Sequence, residues 1–187
     1  LEKNPRFLPI IASGACDGEM KIWNLAQRTC ISSVIAHDGI VRGTCFDHSG
    51  LNVLTIGDDK FIKVWQMNEE LHELNELPIF TIASKFILCA VTHHRNGTKF
   101  ATCGDTCAVW EHGRNEPIKI FKWGLDQLLD VTFNQTETEL MATTATDRSI
   151  ILYDIRTSDP IRRIVMTLRS NKIVWNPMET FQFTVAN

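Results

Sequence analysis

Apolar and polar residues alternate along most of this chain in short runs, broken by clusters of Asn, Asp, Gly, Ser and Pro. A period of two marks half-buried strands, whereas a helix would repeat its apolar positions every three or four residues. In the best-defined stretch, Val41 to Phe46 predicts a strand and Asp47-His48-Ser49-Gly50 a turn. Val53 to Ile56 predicts a second strand, Asp58 and Asp59 a tight turn, and Phe61 to Trp65 a third strand. Further turns are signalled at Asn96-Gly97, at Asn134 to Thr136 and at Asn176-Pro177. A fourth, outer strand is expected at Thr29 to Val34, Pro78 to Ile82, Pro117 to Phe121 and Ile161 to Val165. No first strand is recognisable before Ile10.

The pattern repeats. SGACDGEMKIW, from Ser13 to Trp23, matches TIGDDKFIKVW, from Thr55 to Trp65, at a distance of 42 residues. TCGDTCAVW ends at Trp110 with a shortened turn, and TTATDRSIILYD carries Asp147, Tyr153 and Asp154. A period of about 40–45 residues with this ending marks WD repeats, each a four-stranded propeller blade. The expected fold is therefore all-β: a WD-repeat β-propeller, present as an incomplete fragment of about four blades from a parent of about seven. The blades are expected at 1–34 (partial), 35–82, 83–122, 123–166 and 167–187 (partial), the last ending in the second strand of its blade. An unclosed propeller leaves bare strand edges and lacks the support of missing neighbours.

Repeated residues of this kind have structural duties. A buried indole N–H needs an acceptor, so the Trp of each third strand (strand c of a, b, c and d) is expected to join a hydroxyl of the second strand (strand b), a turn Asp and a loop His. His37, Thr55, Asp59 and Trp65 form the full tetrad. The other blades keep parts of it: Ser13, Asp17 and Trp23; Thr102, Asp105 and Trp110; Thr143, Asp147 and Tyr153. The repeat also accounts for Gly57-Asp58-Asp59 without a metal.

Composition adds limits. Hydrophobic residues make up 44%, and no run approaches the roughly 18 apolar residues of a membrane span, so no membrane role is expected. Net charge is −3, which announces no bulk affinity for nucleic acid. From Arg148 onward, however, six basic residues face three acidic ones, and Arg162, Arg163, Arg169 and Lys172 are candidates for RNA or partner contact. The six cysteines lack paired zinc spacing and are expected as buried free thiols. His93-His94 has no third ligand at sensible spacing, so no metal, no cofactor and no catalytic residue is expected.

Several stretches together resemble one family. SGACDGEMKIWNLAQRTCI, AHDGIVRGTC, GDDKFIKVW, FATCG, ATDRSIILYDIRTSDPIRR and NKIVWNPMETFQFTVAN stand in its order. The shortened third turn, Trp123-Gly124 and Trp175-Asn176-Pro177-Met178-Glu179 discriminate best. The chain resembles the Sof-type nucleolar WD-repeat proteins of the small-subunit processome, relatives of which are also described as cullin-4-associated factors. The resemblance implies a non-catalytic scaffold in ribosome biogenesis and pre-ribosomal RNA processing, in the nucleus and nucleolus. Its implied partners are the pre-ribosomal ribonucleoprotein and assembly-factor proteins. It also implies a second role, as substrate receptor of a cullin-4 ubiquitin ligase. Tyr153-Asp154-Ile155-Arg156 fits the W/Y-D-x-R pattern by which such receptors dock on the damaged-DNA-binding adaptor. Arginine suits that docking because its planar guanidinium makes several directed contacts. The alternatives are an intrablade Asp154–Arg156 ion pair with no docking duty, and a general peptide- or protein-binding WD-repeat module unrelated to ribosome assembly.

Overall fold

The computed structural model describes residues 2–7, 9–122 and 126–187, so Trp123-Gly124 lies outside the described residues. It divides into two compact units, Leu1–Leu88 and Cys89–Asn187. Every regular element among the described residues is a strand.

The first unit holds two antiparallel sheets. One runs in order through β1 (Glu2–Lys3), β2 (Ile10–Gly14), β3 (Glu19–Asn24) and β4 (Thr29–Ile35). The other holds β5 (Val41–Phe46), β6 (Asn52–Gly57), β7 (Phe61–Gln66) and β8 (Phe80–Ala83). β1 corrects the sequence expectation, for a strand does precede Ile10: Glu2 pairs with Ala12 and Lys3 with Ile11. Both of its residues are exposed and charged, so it leaves no apolar trace in the sequence.

The second unit continues the plan. β9 (Ala90–His93), β10 (Lys99–Cys103), β11 (Cys107–Glu111) and β12 (Lys119–Phe121) form a third sheet. β13 (Leu128–Phe133), β14 (Leu140–Ala145), β15 (Ser149–Asp154) and β16 (Pro160–Val165) form a fourth, and β17 (Lys172–Trp175) pairs with β18 (Phe183–Ala186). Strands a, b, c and d of each full blade are thus consecutive in the chain, joined by hairpins that local turn residues specify.

Burial grades across a blade. β6 and β14 are covered on both faces, which is why NVLTIG and LMATTA read as apolar, small or hydroxyl residues with little alternation. The outer strands β4 and β16 are largely exposed and carry the polar residues. Sheets pack face to face within each unit. Ile10, Ala12, Met20 and Ile22 meet Val53, Trp65 and Met67 in the first. In the second, Val109 and Phe121 meet Met141, Ile151 and Tyr153, while Ala142 and Ile150 meet Ile173 and Trp175.

An asparagine after strand a ties one blade to the next. Asn134 Nδ2 donates to the Thr180 carbonyl at 2.6 Å, while its Oδ1 accepts from the amides of Thr136 and Glu137 at 2.9 and 3.0 Å. Asn4 repeats the device: Nδ2 donates to the Gly50 carbonyl at 2.8 Å and Oδ1 accepts from the Arg6 and Phe7 amides. Each side chain both shapes its own turn and clasps the turn 46 residues on. Replacing Asn134 by Ala leaves the Thr180 carbonyl without this donor and the turn amides without their acceptor. Chemical denaturation should show a loss of about 1–3 kcal/mol.

Candidate functional site

The second blade closes a continuous polar chain. Trp65 Nε1 donates to Thr55 Oγ1 at 3.0 Å, His37 Nε2 lies 2.8 Å from Thr55 Oγ1, and His37 Nδ1 lies 2.8 Å from Asp59 Oδ1. One proton arrangement satisfies all three bonds. The indole donates to the hydroxyl, the hydroxyl donates to Nε2, and a neutral imidazole donates Nδ1–H to the carboxylate. Burial pushes the His37 pKa down against the pull of Asp59, in keeping with a neutral ring. Burial also opposes ionisation of Asp59, but hydrogen bonds from His37 and from the Phe61 and Asp38 amides outweigh it and lower its pKa. Gly57 makes room for the ring, since a Cβ there would stand 2.4 Å from His37 Cγ. Asp58 turns elsewhere, to Arg42 Nε at 2.5 Å.

The other blades keep only the indole-to-hydroxyl step or less. Trp23 Nε1 donates to Ser13 Oγ and Trp110 Nε1 to Thr102 Oγ1, both at 2.8 Å. Asp17 instead accepts from the Glu19 amide within its own turn. Asp105 is exposed. In the fourth blade Thr143 Oγ1 and the Tyr153 hydroxyl stand 3.5 Å apart, and Asp147 bonds Ser149 and Arg163. Tyr153 is fully buried, its ring 4.8 Å from that of Phe121.

The turn that follows joins β15 to β16. Pairing between β15 and β16 slips between Leu152 and Tyr153, a bulge that re-aims the residues beyond it. Asp154, nearly buried, takes Arg156 Nη2 at 2.6 Å and Nε at 2.9 Å, and also accepts the Arg156 amide at 2.9 Å. The Arg156 side chain is 69% exposed, so one edge of the guanidinium is fixed by Asp154 while the rest faces solvent. The hydrogen bonds from Arg156 hold the Asp154 carboxyl below its ordinary pKa, and the same pairing raises that of Arg156. The ion pair and the exposed arginine are therefore one arrangement, and the pair leaves the guanidinium available for contact.

The basic candidates differ in their surroundings. Arg162 and Arg163 are neighbours on β16 and so point to opposite faces. Arg163 is engaged by Asp147, and Lys172 pairs with Asp130 at 2.8 Å. Arg162 and Arg169 are exposed. Asp130, which the sequence reading missed, also accepts the Ile173 amide at 2.9 Å and so joins the fourth sheet to β17. A carboxylate inside the apolar run LLDVTF was the available signal, because a buried charge needs partners.

Histidines and cysteines sort simply. His93 Nδ1 lies 2.7 Å from the His94 carbonyl and His93 Nε2 2.9 Å from His112 Nε2, while His94 Nδ1 accepts from the Asn96 amide. Among the described residues no group of three or more His, Cys, Asp or Glu is placed to hold a metal. Cys45, Cys103 and Cys107 are buried, and burial raises each thiol's pKa. Cys16 and Cys30 are exposed, correcting the expectation of buried thiols: one lies in a b–c turn, the other in an outer strand.

Blades of four antiparallel strands, with an indole-to-hydroxyl bond recurring behind the b–c turn, define a WD-repeat protein of the β-propeller class. The family described as "WD domain, G-beta repeat" matches residues 28–66. The chain is similar over all 187 of its residues to "DDB1- and CUL4-associated factor 13" of Danio rerio, at 45% identity. The proteins of that name from Homo sapiens and Dictyostelium discoideum are 44% and 39% identical over 94% and 95% of this chain. The chain spans 42%, 39% and 40% of the length of these three relatives.

Two outcomes are expected of the polar chain. Asp59→Ala removes an acceptor from His37 and should cost the blade about 1–3 kcal/mol, read from the denaturation midpoint. A His37 pKa below its ordinary 6.5 means the unfolded chain binds the extra proton first, so acidification through that range destabilises the fold. Asp59, also lowered, adds a further loss at lower pH. Melting temperature should therefore drop between about pH 7 and about pH 5, and His37→Gln should flatten that drop.

Proposed function

We propose that this chain forms part of a non-catalytic WD-repeat receptor that docks on the DDB1 adaptor of a CUL4 ubiquitin ligase through the turn at Tyr153-Asp154-Ile155-Arg156. The observation that carries this reading is the geometry of Arg156. An exposed guanidinium, held at one edge by a nearly buried carboxylate, offers its remaining donors in a fixed direction. Little side-chain entropy then remains to be lost on docking. The names of relatives 39–45% identical to the chain supply the partner.

The same polypeptide, in this reading, is a scaffold of small-subunit ribosome assembly in the nucleus and nucleolus, held among pre-ribosomal ribonucleoprotein and assembly factors. The support is the ordered resemblance along the chain together with Arg162 and Arg169, two exposed cations suited to phosphate. A rigid blade with variable loops suits a scaffold, which holds several partners at set angles.

Affinity purification of the natural full-length protein, wild type beside Arg156→Asp, with RNA and proteins identified, tests both parts. The wild type should recover the adaptor, pre-ribosomal RNA and assembly factors. Arg156→Asp should lose the adaptor alone, with an unchanged melting curve. Adaptor recovered at wild-type levels by the variant removes the docking reading. Absence of pre-ribosomal RNA from both removes the assembly reading and leaves a WD-repeat binding module with other partners.

A further inference from the structure

The docking turn does not hold itself in place. Its backbone carbonyls at Ile155 and Thr157 both accept hydrogen bonds from Lys119 Nζ, each at 2.8 Å. Lys119 lies on β12, the outer strand of the preceding sheet, 36 residues before Ile155. Two residues on, and so on the same face of β12, Phe121 packs its ring 4.8 Å from that of Tyr153. One strand of the third blade therefore grips the aromatic that opens the turn and the carbonyls on either side of Arg156.

The corresponding contact in the first unit is much slighter. There, among the described residues, the outer strand β4 meets the segment after strand c of the following blade through apolar packing and one neutral hydrogen bond, from the Leu74 amide to Ser32 Oγ at 3.3 Å. In the second unit the contact is charged and doubled. A lysine whose donors are shared between the Ile155 and Thr157 carbonyls restrains the backbone between them, that of Arg156 and Thr157. Its charge also stands near Asp154 and favours the ionised carboxylate that holds Arg156. Lys119 is only partly exposed, so its ammonium serves the turn more than it serves solvent.

The geometry points to Lys119 as the positioning residue of the docking turn: by tethering the Ile155 and Thr157 carbonyls it sets the direction in which Arg156 presents its guanidinium to the adaptor, an inference that rests on the docking reading above. The third blade thus takes part in recognition without offering a contact of its own. A charge-neutral residue at this position frees the turn while leaving every residue of the Tyr153-Asp154-Ile155-Arg156 stretch intact. Lysine and arginine both reach two carbonyls with charged donors, whereas methionine keeps the length of the side chain and none of the donors.

A double-mutant cycle on the natural full-length protein tests this, with purified DDB1 adaptor as the probe and binding measured by titration. Lys119→Met should weaken binding about tenfold and Lys119→Arg should hold it within about twofold, the scale on which charge-assisted bonds act. In an Arg156→Ala background, Lys119→Met should add no further loss, because a residue acting through Arg156 has nothing left to position. Melting midpoints of each variant separate a lost tether from a lost fold, and Lys119→Arg supplies a folded comparison if the methionine variant is damaged. Wild-type affinity for Lys119→Met, or an equal loss with and without Arg156, overturns the positioning role while docking through Arg156 stands. Full binding by Arg156→Ala removes the docking reading, and the positioning role with it.

Discussion

An indole N–H shut away from water must find an acceptor, and three blades of this chain answer that demand in one way. The strand-c tryptophan reaches back to a hydroxyl on strand b: Trp23 to Ser13, Trp65 to Thr55, Trp110 to Thr102. The hydroxyl must stand ten positions before the tryptophan in the first two blades and eight in the third, which fixes hairpin register as well as turn length. Once that register is set, the apolar face of each sheet is set too, and neighbouring sheets within a unit have one way to pack. In the fourth blade the phenol of Tyr153 is a weak substitute at 3.5 Å, and there packing on Phe121 shares the task.

The same architecture explains how a buried framework displays an exposed arginine. Strand c delivers Tyr153 into the interior just past the bulge and ends at the next residue, Asp154, in a turn whose arginine is outside. Asp154 sits at the boundary, buried enough to hold Arg156 firmly and close enough to the surface to leave that arginine exposed. Burial of one partner and exposure of the other gives direction to the pair. An ion pair between two fully exposed side chains would hold no fixed geometry, since solvent and side-chain entropy compete with it.

Strand positions and the residues of the polar chain were legible in the sequence because both depend on short-range signals. Alternation placed β5 and β7 to within a residue, and the spacing between Asp59 and Trp65 announced the turn that places both residues. The interactions between blades were not legible. Lys119 bonding Ile155 and Thr157, Asn134 bonding Thr180, and Asp130 bonding Ile173 all depend on how one sheet lies on another, which no local pattern encodes. β1 escaped because two charged residues satisfied by pairing alone show no apolar face. Within the basic run after Arg148, linear proximity hides that Arg162 and Arg163 face apart and that Lys172 pairs with Asp130.

The asparagine clasps have a bearing on how the chain comes apart. In a stack of repeats, stability divides into what each repeat contributes by itself and what it shares with its neighbour. Asn4 and Asn134 belong to the shared part, since each spends its amide on a turn of the blade that follows. A blade so tethered frays less readily by itself: for the turn at Thr180 to leave, its bond to Asn134 must break as well. Asn134 shares that coupling with Asp130, which holds Lys172 and the Ile173 amide of the following blade, and the sharpness of the melting transition reports how strongly adjacent repeats are coupled.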